Sequence, residues 1–152
     1  MKSILFALLL STGAAVISEA QGYVNPTGTY LLKGDVRNNE IIGHYGELRV
    51  RLLDSSRIAL AFYLNNGYPG YESGSFVDTL PYDDNRAVYR PGTDSSCRIV
   101  FSFGIRSAEV SQVVSNPGSG CGFRPGVIEP ALLHKTSSGI PVIQDLSLHG
   151  SR

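Results

Sequence analysis

The sequence predicts an all-β protein, a small antiparallel meander of about eight strands tied by one disulfide. Three observations lead there. Short segments of strict apolar–polar alternation recur at spacings of roughly 8–12 residues, separated by clusters of Gly, Pro, Asn, Asp and Ser. Beyond the first twenty residues no apolar pattern of helical period competes with them. The chain's two cysteines, Cys97 and Cys121, stand 24 positions apart, one opening the clearest alternating stretch and the other following the next. Closing the meander into a barrel removes its exposed edges, so a barrel is the expected architecture and a sandwich the alternative.

The elements follow in order. Thr29-Tyr30-Leu31-Leu32-Lys33 is a first strand, ended by Gly34-Asp35. Val36 to Tyr45 reads as a connection with Asn38-Asn39 as its turn, in which Ile41-Ile42 pairs briefly. Leu48, Val50 and Leu52 alternate with Glu47, Arg49 and Arg51, a half-buried strand with a wet outer face. After the Asp54-Ser55-Ser56 turn, Ile58, Leu60, Phe62 and Leu64 face one way and Ala59, Ala61 and Tyr63 the other, completing a hairpin. Asn65 to Gly74 is a loop with three glycines, a proline and two tyrosines, Tyr68 and Tyr71. Ser75 to Leu80 is a strand ended by Pro81, and Asp83-Asp84-Asn85 turns into Arg86-Ala87-Val88-Tyr89. Cys97 to Phe103 puts Cys97, Ile99, Phe101 and Phe103 on one face and Arg98, Val100 and Ser102 on the other. Ala108 to Val114 sets Val110, Gln112 and Val114 against Glu109, Ser111 and Val113. Asn116 to Gly120 is a loop delivering Cys121, after which Phe123 and Val127-Ile128 return toward the sheet. Ala131-Leu132-Leu133 is the last well-packed segment, so residues 21–135 form a barrel-like domain and 136–152 a tail with a frayed end.

The first twenty residues lie outside that fold. Lys2 is a basic start, Ile4 to Leu10 is apolar, and Ser18-Glu19-Ala20 places small residues before a cut at Gln21, the pattern of a secretory signal peptide. As a membrane anchor the stretch is too short, because Ser11, Thr12 and Gly13 interrupt it and a span needs roughly 20 apolar residues. No later segment is long and apolar enough to span a membrane. The mature chain is therefore expected outside the cytoplasm, secreted or periplasmic. In such an oxidising compartment an even cysteine count reads as a Cys97–Cys121 disulfide. Removing Lys2 and Glu19 leaves twelve basic and twelve acidic side chains, a balance that gives no reason to expect nucleic acid or an anionic membrane as partner.

Catalytic and metal motifs are sparse. His44, His134 and His149 are far apart and form no H-x-x-x-H or H-x-H pair, so no metal or other cofactor is expected. Asp83-Asp84-Asn85 lacks the alternation and later glutamate of a calcium loop. There is no G-x-S-x-G, and both cysteines are assigned to the bridge. Glu72 and Asp78 flank the tyrosine loop and are the candidate acids of a small hydrolase, a reading set against two surface charges.

Gly28-Thr29-Tyr30, Ser73-Gly74-Ser75-Phe76, Tyr82 to Tyr89, Cys97 to Phe103 and Cys121-Gly122-Phe123 together resemble the motif order of a group of small exported bacterial proteins. More distantly, the chain is similar to the periplasmic lysozyme inhibitors, small disulfide-tied β-barrels whose S-G-x-x-Y loop enters the lysozyme cleft. Ser73-Gly74-Ser75-Phe76 matches that motif in part. The resemblance implies that Ser73 hydrogen-bonds the catalytic carboxylates of a lysozyme while Tyr71 packs at the rim. The expectation is thus a non-enzymatic binding module presenting residues 65–75, with Tyr68, Tyr71, Ser73 and Ser75 as binding residues. Its partner would be a protein, such as lysozyme, or a glycan. The rivals are an envelope hydrolase and a purely structural envelope component.

Overall fold

Alternation decides which residues enter the core, and the strands follow it. The computed structural model describes residues 22–147. Among them are β1 (Gly28–Leu32), β2 (Asp35–Arg37), β3 (Glu40–Ile42), β4 (Tyr45–Asp54), β5 (Arg57–Asn65), β6 (Ser73–Asp83), β7 (Arg86–Tyr89), β8 (Cys97–Phe103), β9 (Ser107–Val114) and β10 (Ala131–Ser137). Eight of these close a barrel in the order β1-β10-β9-β8-β7-β6-β5-β4, every neighbouring pair antiparallel, and β2-β3 forms a separate two-stranded sheet. The barrel, not the sandwich, is the architecture. The signal peptide expected over residues 1–20 lies outside the described residues.

The interior is apolar and filled. Tyr30, Leu48, Ile58, Leu60, Phe62, Leu64, Ile99, Phe101 and Leu133 have no exposure, and the Phe62 and Phe101 rings meet edge to face at 5.4 Å. Each such side chain contributes about 1.5–3 kcal/mol through burial. In β8 the inward face is Cys97, Ile99, Phe101 and Phe103, as the period of two requires. Outward positions carry Glu47, Arg49, Arg51, Arg98 and Glu109. That is the reverse of a transmembrane barrel, whose lipid-facing side is apolar. No helix among the described residues is long and apolar enough to cross a membrane.

The two ends of the barrel differ. At one end the strands are joined by Ser55-Ser56, by Asp84-Asn85 and by Gly104 to Arg106. Asp84 and Asn85 both have positive φ (47° and 58°), the backbone of a tight hairpin whose twist matches its strands. Residues 22–27 plug this end: Val24 is buried, its N–H donates to Asn85 Oδ1 at 2.8 Å, and Tyr82 donates to its carbonyl at 2.7 Å. At the other end the connections are long, comprising residues 33–44, 66–72, 90–96 and 115–130. The Cys97–Cys121 disulfide joins the start of β8 to the last of these.

Several boundaries depart from the sequence reading. Val36 to Tyr45 holds a hairpin, β2 and β3, around Asn38 and Asn39, both at positive φ (51° and 64°). Pro81 does not end its strand: β6 continues to Asp83 and pairs with β5 from Ser73 to Pro81. What stops at Pro81 is the ladder to β7, which joins β6 only at Tyr82 and Asp83. Tyr82 donates its N–H to the Ser56 carbonyl in the turn before β5, so the position before it faces β7, where proline has no N–H to offer. Phe123, Val127 and Ile128 enter the core from a loop and form no strand. Val114, opposite Cys97 on the inward face, is nonetheless 40% exposed at the end of its strand.

Ala131 to Leu133 is not the last packed segment. Beyond Ser137 the chain runs back along the outside of β4 and β5, where Arg49 donates to the Val142 carbonyl at 3.5 Å. Leu146, 2% exposed, packs on Ala61 and Tyr63, with Ile143 and Tyr45 beside them. This explains why β5 is buried on both faces although its outer residues are only Ala59, Ala61 and Tyr63.

Candidate functional site

The long-connection end gathers the residues singled out from sequence. The loop between β5 and β6 spans residues 66–72 and contains a cis Tyr68-Pro69 bond. Two asparagines hold its shape. Asn65, 4% exposed, donates to the Tyr63 hydroxyl at 3.2 Å and the Tyr71 carbonyl at 3.0 Å, and accepts from the Gly67 N–H at 2.8 Å. Asn66 exchanges bonds with Glu72, its N–H to the Glu72 carbonyl at 3.0 Å and its Oδ1 from the Glu72 N–H at 2.9 Å. The Tyr71 N–H donates to the Gly67 carbonyl at 2.7 Å. A buried polar side chain so fully satisfied specifies one loop conformation.

Tyr68 and Tyr71 stay open to solvent, 52% and 39% exposed, with rings perpendicular and centroids 6.4 Å apart. They do not fold back over the barrel end; they lean on the β2–β3 hairpin. Tyr68 donates its N–H to the Ile41 carbonyl at 2.7 Å. The Tyr71 hydroxyl donates to Glu40 Oε2 and accepts from the Ile41 N–H at 3.2 Å. That bond to Glu40 is the main reason the Tyr71 hydroxyl titrates above its ordinary range. Tyr71 also holds a left-handed φ of 48°, an uncommon conformation for an aromatic residue. Such backbone persists only where surrounding bonds over-determine it. Deeper in, burial first and the neighbouring Tyr63 second push the Tyr45 hydroxyl up to about 12.

Ser73 and Ser75 belong to β6, paired with Asn65 and Tyr63, and not to the projecting loop. Ser73 is exposed at the strand's first position, next to Glu72. Ser75 is half-buried and donates to Asp145 Oδ1 of the returning tail at 3.3 Å. Between them Gly74 is buried under the Phe123 ring, where a Cβ would lie 2.0 Å from a ring carbon. Phe76 stacks on Tyr89 at 3.7 Å and fills the gap where β6 and β7 part.

Each candidate acid has one partnered oxygen, while Glu72 Oε2 is buried without a partner among the described residues. Glu72 accepts from Arg124 Nη1 at 2.9 Å, and Asp78 Oδ1 accepts from the Thr79 N–H at 2.7 Å. Among the described residues no three His, Cys, Asp or Glu side chains gather at metal-binding distance. His44 bridges two of the long connections, donating from Nε2 to the Gly126 carbonyl at 2.8 Å with Glu129 near its Nδ1. Asp94 ties the 90–96 connection to the same 115–130 connection, accepting from Ser96 and Ser119, and the Ser119 hydroxyl is the first cause of its lowered carboxyl pKa.

Sequence reasoning missed the brace formed by Glu40, Ile41, Asn65 and Arg124. Part of it was readable, because Asn38-Asn39 between two short apolar–polar runs is a two-residue hairpin signal. The Arg124–Glu72 contact joins residues 52 positions apart and leaves no local signature.

Fold and site define a class: a closed, filled, disulfide-tied antiparallel barrel with one elaborated end. No family model, no curated protein and no solved structure matches the chain.

Proposed function

We propose that the protein is an exported, non-enzymatic binding module that meets a protein or glycan partner with its long-connection end. The observation that carries this reading is the pair Tyr68 and Tyr71, left exposed on a loop whose backbone is fixed by Asn65 and Asn66. Rigid exposed tyrosines offer large contact area at low entropic cost on binding. The disulfide is compatible with an oxidising compartment, and the N-terminal pattern supports export. Capture from the native envelope on immobilised mature protein tests it. One partner or glycan class should be retained, and the Tyr68→Ala/Tyr71→Ala protein should lose it. Equal retention by that variant would overturn the assignment of the surface.

Ser73, exposed beside Glu72 at the loop's exit, supports inhibition of a lysozyme as a second reading. Added mature protein should then lower lysis, and Ser73→Asp should abolish the effect by setting like charge against the catalytic acids. Undiminished lysis with every lysozyme type would remove this reading and leave the first standing.

A further inference from the structure

A closed barrel has no edges, yet among the described residues several stretches of strand lack a ladder partner, and two of them are treated differently. The first is the β6 edge facing β7, free from Ser75 to Pro81 because β7 pairs only with Tyr82 and Asp83. It is blunted. Pro81 lacks an N–H, and the Thr79 N–H is taken by Asp78 Oδ1 at 2.7 Å. The second is the outer edge of β2. The far side of its sheet is occupied, since Ile41 of β3 accepts from the Tyr68 N–H and Ile42 bridges Tyr68. Among the described residues no strand pairs with the outer side of β2, which has no proline and no bulge, and Asp35, Val36 and Arg37 are all exposed.

The polarity of that edge follows from its turn. Arg37 and Glu40 flank the two-residue Asn38-Asn39 turn, so they form the closing hydrogen-bonded pair, and Arg37 turns its N–H and C=O toward β3. Val36, one position back, therefore turns its N–H and C=O outward. Its side chain is 73% exposed, and Asp35 and Arg37 lie together on the opposite face, their side chains 3.4 Å apart and 75% and 72% exposed.

We propose that the outer edge of β2 is the contact between two copies of this chain, paired antiparallel about a two-fold axis through Val36. In that register Val36 of each copy exchanges both backbone hydrogen bonds with Val36 of the other. Each Asp35 stands directly across from the other copy's Arg37, on the same face, because opposite residues of an antiparallel pair share a face. The Asp-Val-Arg edge is thus complementary to itself, the condition an isologous contact must meet. Two two-stranded sheets, each marginal alone, become one four-stranded sheet. Neither barrel needs to move. The two Tyr68–Tyr71 pairs, braced on β3, are then carried on one assembly, and a partner with repeated epitopes would be held by both.

The test uses the full mature chain in sedimentation and light scattering across a range of concentrations. The native protein should show a monomer–dimer equilibrium. Asp35→Arg and Arg37→Asp, each placing like charges across the axis, should weaken it about tenfold. The double exchange D35R/R37D restores opposite charges in the same places and should recover the native constant. A second route does not depend on affinity. With both native cysteines in the disulfide, Val36→Cys supplies a lone thiol on the axis, where hydrogen-bonded antiparallel partners lie about 5.5 Å apart at Cα. It should form a covalent dimer under mild oxidation, whereas Ile105→Cys, 79% exposed at the opposite end, should not. A monomer at all concentrations with no selective Val36→Cys dimer, or a dimer indifferent to the charge exchange, would overturn the proposal. Circular dichroism of each variant confirms that the barrel is intact.

Discussion

Asp54 closes the turn between β4 and β5 with three short bonds, accepting from the Ser56 N–H and hydroxyl at 2.9 Å and from Arg57 Nε at 2.8 Å. The Ser56 N–H is the largest of the causes that hold its carboxyl at about 2, and Arg57 the next. A folded-state pKa below the unfolded value means that stability is present above about 3.9, the unfolded value, and is lost as pH falls through about 2. Melting temperature followed by circular dichroism should therefore drop over that window in the native protein. The drop should be shallower in Asp54→Asn, though not absent, because Asp94 and Asp145 are shifted in the same direction. Superimposable acid limbs for the two proteins would show that the turn's bonds carry no linkage. Gly74 illustrates the other kind of residue-scale control: its missing side chain is what lets Phe123 lie against β6. The sequence marks it only as a glycine near a loop, since the residue it makes room for is 49 positions on.

At the scale of elements, the strands were legible and their coverings were not. A period of two placed Ile99, Phe101 and Leu60 inside and Arg49 and Arg98 outside, because one face of each strand is wet. It could not show why Ala61 and Tyr63, on the supposed outer face, are buried at 0% and 7% exposure. The cover is Leu146, more than eighty positions on, in a segment whose Pro141 and polar residues read as a tail. The same holds for Val127 and Ile128, which fill the core from a loop, so short apolar pairs without alternation looked like strand. Leu146→Ala should lower stability by about 2 kcal/mol, the low end for a buried leucine, because the site lies at the periphery and can partly collapse. Urea unfolding measures this, with an unchanged slope expected since the barrel still unfolds as a unit. A loss well under 0.5 kcal/mol, the range of an ordinary surface substitution, would mean that the returning segment does not hold its place on β5.

For the whole molecule, short turns and the N-terminal plug fix one end of the barrel, while the other carries four long connections. Loops of that length cost closure entropy and tend to open first. The contacts across this end work against opening: Arg124 to Glu72, His44 to Gly126, Ser119 to Asp94 and, covalently, Cys97 to Cys121. The disulfide closes a loop of sequence separation 24, for which restriction of the unfolded chain gives roughly 3 kcal/mol. The eight-strand closure does not run through it, since β8 pairs with β7 and β9 by backbone bonds. Reduction, or Cys97→Ser with Cys121→Ser, should therefore lower the unfolding free energy by that amount, read as a fall in the urea midpoint, while the β-type circular dichroism spectrum persists. Limited proteolysis of the reduced protein should then cut first within 115–126, ahead of the 66–72 loop, which Asn65 and Asn66 hold without any help from sulfur. Equal cleavage of both loops, or an unmoved midpoint, would mean that the hydrogen-bonded ties alone hold the binding end together.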